Sequence, residues 1–452
     1  MLSAQEDVEG PLLVSRPTDI AGSVFNDTIV RHDCSLHIRG NLKGSLTIEA
    51  GADVTIEGSV DGKVINKGGK LVIKNRGIAE HARREGPPEA EAGGILKINL
   101  TAVAVNWEAL AGRTRAECAA VVKADAYGCG IDPVTGALAE VGCKTFFVSD
   151  LAEARRVRAV APKSTVYVLN GFYPGTAPIF AELDVQPVIN SPLEMAEWDV
   201  FVAASQWPGG FALNVDTGTS RLGLSLEEAA AFAPRTHSFS HGIKLLMSRL
   251  DNAERPDDPR NARQINVFQE LSRLYVGVPA SLASSSGIFL GSQAHFDLVR
   301  AGSALYGVNP TPAVRNPMIP VIELRARIMQ VRNLAPEETI ASMSWTVNRP
   351  TRLAIASIGC ADGFPRSLGA NGTKLQAMVG GKLCKIAGRP SMGLLAIDVT
   401  DLPTPTAARR GEMVTLIGDE FGIDNLAAAT QSSGREILGN LGRRFHRIYY
   451  AI

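Results

Sequence analysis

The residue of this chain with the clearest chemical purpose is Lys123, in the stretch VVKADAYGCG (Val121–Gly130). It closes an apolar run, AAVVK, where a charged amine is costly to bury unless it has a task. Partial desolvation lowers a lysine's pKa and frees the amine to form a Schiff base with a carbonyl. A lysine snorkelling out of a strand end would account for an isolated case. Seven further apolar runs also finish on polar residues, which turn chemistry alone would equally explain. They end at Asp150 (TFFVSD), Asn170 (VYVLN), Asn190 (VQPVIN), Asp216 (FALNVD), Arg249 (KLLMSR), Ser285 (SLASS) and Arg300 (FDLVR).

These runs are the elements that must position the chemistry. Between most of them lie Ala/Glu/Arg-rich helical segments such as Ala152–Ala159 and Leu226–Phe232. Apolar strands alternating with helices imply a parallel sheet buried on both faces. About eight such units in roughly 220 residues is the size of a (β/α)8 barrel, whose strand C-termini form the active-site face. From about Pro320 the helical stretches give way to strand-like pieces (VIELRARIMQV, RLAIASI, LQAMVG, KLCKIAG, LLAIDVT, EMVTLIG) punctuated by Gly and Pro, the pattern of a mainly β domain.

The N-terminal part has a different texture. Leu36-His37-Ile38-Arg39-Gly40 recurs as Val54-Thr55-Ile56-Glu57-Gly58 and more loosely as Leu71-Val72-Ile73-Lys74-Asn75, and Gly40/Gly44 is echoed by Gly58/Gly62. Such a repeat reads either as a few rungs of a β-helix, each burying side chains on the next, or as a plain β-meander. The repeat resembles bactofilin-like, polymer-forming β-helices. The charged, Pro- and Gly-bearing stretch 77–94 reads as a linker. The expected organisation is therefore a tail over 1–22, a short β-helix-like module over 23–76, the linker, a barrel over 95–320 and a β domain over 321–452.

Composition narrows the function. Lys plus Arg and Asp plus Glu both total 46 of 452 residues, so the basic excess of a nucleic-acid binder is missing. Hydrophobic residues make up 45%, yet no apolar run reaches the length needed to span a bilayer. The six cysteines form no Cys-x-x-Cys pair, and the N-terminus lacks signal-peptide character, which together predict a soluble cytoplasmic protein with free thiols and no metal site.

VVKADAYG closely resembles the cofactor-lysine motif of the alanine racemase family. Leu213–Leu224, Asp258–Gln264, Ser281–Gly287, His295–Gly307, Arg349–Leu368 and Ala387–Asp401 are similar to family segments in the same order. The resemblance implies pyridoxal 5′-phosphate (PLP) joined to Lys123 as an aldimine, with Lys123 also exchanging the substrate α-proton on one face. It further implies that Tyr127, Ser285, Gly302 and Ser303 hold the cofactor phosphate and that Arg300 meets the pyridine nitrogen. Arg221 and the Met392 N–H would orient the carboxylate of a small amino-acid substrate, and Arg366 and Arg389 would line the entry. Arg435 aligns with a tyrosine near the phosphate. The family builds its site across a homodimer, and the N-terminal rungs would allow further assembly.

Several positions depart from the family pattern. The second catalytic base, a tyrosine before Arg-Pro-Thr-Arg, has Ala341 as its counterpart. Arg249 replaces the histidine that stacks on the pyridine ring, Ser284 an asparagine, Cys129 the histidine of the lysine motif, and Cys360 an entry-corridor tyrosine. Three readings remain open: a racemase of L- and D-alanine or of another amino acid with a rearranged second base, PLP chemistry confined to the Lys123 face on this or another amino acid, or a non-catalytic PLP-binding scaffold.

Overall fold

The structure, a computed structural model, describes residues 2–4, 8–57, 64–66, 69–73, 83–207, 209–238, 242–367 and 375–451. Gly58, Gly62 and positions 77–82 of the expected linker lie outside them. The chain divides into two compact units, one holding the N-terminal strands and the barrel, the other holding residues 75–102, 306–308 and 320–452.

In the first unit the N-terminal strands pair in parallel throughout, which a meander excludes. Leu2–Ala4, Thr18–Ile20, Ser35–Ile38, Asp53–Ile56 and Lys70–Ile73 form one sheet, and Leu12–Val14, Thr28–Val30, Leu46–Ile48 and Val64–Asn66 form a second. Thr18 pairs with Leu36 and Leu36 with Val54, so each coil advances one rung. Inward residues such as Val14, Val30, Ile38, Ile48, Val54 and Ile56 are buried. The stack begins well before residue 23, where the sequence suggests only a tail. Its first rungs are hard to read because a polar residue, Thr18, occupies an inward position and is buried there. The glycines of the repeat mark close approaches between rungs: a Cβ at Gly40 would meet the Gly22 carbonyl oxygen at 2.4 Å, and one at Gly44 the Asn26 carbonyl carbon at 2.3 Å.

Eight strands follow in the same unit: Glu117–Val121 (β1), Thr145–Val148 (β2), Thr165–Val168 (β3), Gln186–Ile189 (β4), Phe211–Asn214 (β5), Ile243–Met247 (β6), Ala280–Ser281 (β7) and Leu298–Ala301 (β8). They pair in parallel in the order β7-β6-β5-β4-β3-β2-β1-β8. A parallel bridge between Ser284 and Arg300, with Arg300 N donating to Ala283 O at 2.9 Å, joins β8 back to β7 and completes the ring. The barrel interior is filled by Ala119, Val121, Phe147, Tyr167, Val188, Ala212, Leu245, Met247 and Leu298. Helices Leu151–Val160 and Pro192–Ser205 start at capping residues Asp150 and Ser191, each accepting from the N–H three residues on.

The second unit is built on β9 (Ile322–Leu334), β10 (Thr351–Ala356), β11 (Gln376–Val379), β12 (Lys382–Ala387), β13 (Leu395–Asp398) and β14 (Met413–Ile417). These pair antiparallel as β9-β10-β13-β12-β11-β14, and β14 returns to β9, so this sheet also closes. Two elements here differ from the sequence reading. Gly94–Asn99, expected to open the barrel, pairs instead with β9 and with His446–Tyr450. Within the expected linker, Arg83–Glu85 is an edge strand antiparallel to His446–Tyr450, fixed by a 3.2 Å hydrogen bond from the Tyr449 hydroxyl to Glu85. Composition cannot reveal a strand whose partner lies some 360 residues away.

Candidate active site

The barrel mouth gathers the polar ends of the strands. Lys123 stands two residues beyond β1 and opens a single turn of unusual hand. Ala124, Asp125, Ala126 and Tyr127 all have φ between 53° and 54°, and ψ at Ala124, Asp125 and Ala126 lies near 50°, which is left-handed helix. For residues with a Cβ this backbone costs roughly 1–2 kcal/mol each. The turn carries its own hydrogen bonds: Ala126 N to Val122 O (2.9 Å), Gly128 N to Ala124 O (2.8 Å) and Gly130 N to Asp125 O (2.8 Å). It delivers the Tyr127 ring onto the interior cluster of the barrel.

Across the ring closure, Ser285 is buried and its Oγ accepts from Gly302 N at 2.9 Å and Ala304 N at 3.2 Å. A Cβ at Gly302 would lie 2.9 Å from the Tyr127 hydroxyl, so glycine leaves room that any side chain would fill. Ser303 begins the short turn Ser303–Tyr306 and is half-buried. Tyr127, Ser285 and Gly302 thus converge, with Ser303 next in the chain.

Arg300 projects from β8 and is buried. Its Nη1 donates to Ser281 O (3.0 Å) and Ser281 Oγ (2.7 Å), and its Nη2 to Leu282 O (3.3 Å) and to Ser248 O. Burial first, and the positive charge of Arg249 second, pull its pKa down to about 9. Beneath it runs a buried relay that the sequence reading did not single out. Thr217 and Ser248 share a hydrogen bond of 2.9 Å, Gln264 Nε2 donates to Thr217 Oγ1 at 3.1 Å, and Gln264 Oε1 accepts from Asp251 N at 2.9 Å. The quoted segments hold Thr217 and Gln264, yet only the fold brings them together.

A second missed group surrounds the lysine turn. Glu153 accepts from Asp125 N at 3.1 Å and Ser149 N at 2.8 Å, and burial pushes its carboxyl up. Arg156 donates to Asp125 Oδ1 and Asp132 Oδ1, both at 2.7 Å. Cys129 is buried. Burial also raises the thiols of Cys118 and Cys143, the latter to about 12, so neither is a nucleophile near neutral pH.

Arg221 lies exposed in the loop after β5. Asp216 shapes that loop by accepting from Gly218 N (2.8 Å), Thr219 N (2.7 Å) and Thr219 Oγ1 (3.2 Å); burial pushes its carboxyl up, but these hydrogen bonds outweigh it and the pKa is lowered. The remaining named residues belong to the second unit. There Ala341, itself exposed, opens the turn Ala341–Met343, Arg389 N donates to Met343 O at 2.7 Å, and Cys360 N and Ala361 N donate to Ser391 O (3.0 Å) and Met392 O (2.9 Å). Arg366 and Arg435 are exposed there as well. Among the described residues, no helix is long and apolar enough to cross a membrane.

Fold and site define a class: a (β/α)8 barrel with a lysine at the end of its first strand and a glycine-and-serine cluster at its last, together with a closed antiparallel β domain. Comparison with known proteins agrees. The family model "Alanine racemase, N-terminal domain" matches residues 98–310, and "Alanine racemase, C-terminal domain" matches residues 321–449. An alanine racemase of Methylobacterium sp. (strain 4-46) is 47% identical over 359 residues, covering 79% of this chain and 98% of that protein. The solved alanine racemase of Bartonella henselae, with covalently bound pyridoxal phosphate, superposes with a TM-score of 0.74 at 34% identity, covering 79% of this chain and 99% of the other. The biosynthetic alanine racemase of Pseudomonas aeruginosa gives 0.73 at 30% identity, covering 79% and 99%. The chain belongs to the alanine racemase family, whose members depend on PLP. The family models begin at residue 98, so the N-terminal stack lies outside them.

Proposed function

We propose that this chain is a PLP-dependent alanine racemase in which Lys123 serves one face of the substrate. The observation that carries the reading is the convergence of the lysine turn, the Tyr127–Ser285–Gly302 cluster and the buried Arg300 at one barrel mouth. The residues present suit the cofactor: hydroxyls for a phosphate beside a glycine that leaves room for it, and a guanidinium with both Nη groups committed to protein, leaving Nε for a ring nitrogen. Lys123 would hold PLP covalently, Tyr127, Ser285, Gly302 and Ser303 would take its phosphate with help from Arg435, and Arg300 would meet its pyridine nitrogen. When bound, PLP supplies the electron sink for a carbanion at the substrate Cα. Lys123 removes or returns the α-proton at Nζ. Arg221 and the Met392 N–H orient the carboxylate, since a guanidinium fork matches it, while Arg366 and Arg389 line the entry. Arg300 keeps the ring nitrogen unprotonated, which restrains side reactions.

Ala341 favours a second reading. Exposed, and standing where the family resemblance places a tyrosine base, it offers no group that moves a proton. Chemistry confined to the Lys123 face would exchange the α-proton and keep the configuration. Incubation of L- and D-alanine in deuterated water separates the readings. Loss of optical purity from both enantiomers is expected of a racemase, and deuterium uptake with retained configuration would replace that reading with one-face chemistry. Borohydride treatment that leaves no reduced cofactor on the Lys123 peptide would remove both.

A homodimer in the cytoplasm completes the reading, supported by the family and by cysteines that are all free among the described residues. The N-terminal stack is proposed as a module for larger assembly. Leu13, Ile29 and Ile65 lie in one register row on its outward side, bridged by Thr47, and all three are exposed. Light scattering that finds only monomers would count against both forms of association.

A further inference from the structure

We infer that Glu153 is a positioning residue for the cofactor lysine, holding the left-handed turn that carries Lys123 and Tyr127. The inference rests on the reading of Lys123 as the PLP-bearing residue, but its structural half stands alone. Four consecutive residues with a Cβ are kept in a backbone that they avoid on their own. The sequence Ala-Asp-Ala-Tyr contains no glycine to make that conformation easy, so something outside the turn must over-determine it. The structure supplies two such ties. Glu153, at the third position of helix Leu151–Val160, reaches across to Asp125 N in the middle of the turn while also accepting from Ser149 N at the end of β2. Arg156, one position short of a full turn further along the same helix face, bonds the Asp125 side chain, whose Oδ1 also accepts from Ile131 N at 3.0 Å.

Two other helices of the barrel show what an ordinary glutamate in this position does. Glu194 accepts from Asn190 N at 2.6 Å at the end of its own preceding strand, and Glu228 accepts from the N–H of its own N-cap residue, Ser225, at 2.8 Å. Glu153 uses the same helix position but spends one oxygen on the neighbouring β1 loop. That oxygen couples the lysine turn to the rigid start of the next barrel helix.

The test uses the full chain in its PLP-free and PLP-loaded forms. In PLP-free protein, Glu153→Ala is expected to speed amide exchange at Ala126, Gly128 and Gly130 at least about tenfold, leaving the amides of β2 and β3 unchanged. PLP affinity, read by titration of the cofactor absorbance, should fall roughly ten- to a hundredfold. Glu153→Gln, which keeps the shape and one acceptor, should fall between Glu153→Ala and wild type, and it supplies the same comparison if the alanine variant does not fold. Adding Ala124→Gly to Glu153→Ala should restore much of the lost affinity, because glycine takes the left-handed backbone freely. A merely structural role would not predict that rescue. Unchanged exchange in the turn, unchanged PLP affinity, or a double variant no better than the single one would each overturn the inference. If wild type itself takes no PLP on Lys123, the functional reading fails, and the exchange experiment still decides whether Glu153 holds the turn.

Discussion

A methyl group at Gly302 would stand 2.9 Å from the Tyr127 hydroxyl, close enough that one of the two must move. Gly302→Ala should therefore destabilise the protein by about 1–2 kcal/mol and weaken PLP binding. Tyr127→Phe removes the clashing oxygen, leaving the next ring atom at 3.7 Å. The pair should recover the thermal stability but not the PLP affinity, since the proposed phosphate donor is then gone. Calorimetry and absorbance titration on the two single variants and the double variant check this. At this scale the sequence was informative where one residue type has few alternatives. A lysine after four apolar residues and an arginine in an apolar strand each announce a cost that needs a reason. It was silent where function rests on an ordinary residue. Glu153 and Arg156 sit in LAEARRVRAV, where any surface helix would place them, and nothing in Ala-Asp-Ala-Tyr hints at left-handed backbone.

Loops and strands show a similar division. Apolar runs bounded by polar ends located all eight barrel strands, because a strand buried on both faces must be apolar along its length. Pairing between remote segments was not legible: the edge strand Arg83–Glu85 has no apolar pattern and exists through its ladder to His446–Tyr450. The loop after β5 carries a prediction with a pH sign. Asp216 has a lowered folded pKa, so it contributes stability above its ordinary value of 3.8 and loses it as the pH falls through the folded value. Asp216→Asn should cost about 1 kcal/mol at pH 7, and the difference from wild type should shrink below pH 3.8. Urea unfolding at pH 7 and at pH 3 reads it. If the loop presents Arg221 to substrate, KM for alanine should rise in the same variant while the cofactor absorbance stays unchanged.

Over the whole molecule, the N-terminal stack and the barrel solve the problem of parallel strands differently. The stack repeats, so its close contacts recur from rung to rung, and the Gly40 and Gly44 positions are where neighbouring rungs nearly touch. Gly44→Ala should push adjacent rungs apart at about 1–3 kcal/mol. Proteolysis should then cut within residues 8–57 while PLP loading on Lys123 persists, and loss of loading would show that the stack and the barrel fold as one. The barrel closes instead: β7 is two residues long, and a bridge from Ser284 to Arg300, Asp297 N donating to Ala280 O at 3.0 Å and Ser281 Oγ donating to Leu298 O at 2.6 Å join the ends. The same arginine ties Ser248, Ser281 and Leu282 together with its guanidinium. The keystone of the ring is thus also the proposed partner of the cofactor ring. A relative that had abandoned the chemistry would still gain from these ties across the closure, so an arginine kept at this position testifies to barrel packing as much as to a working enzyme.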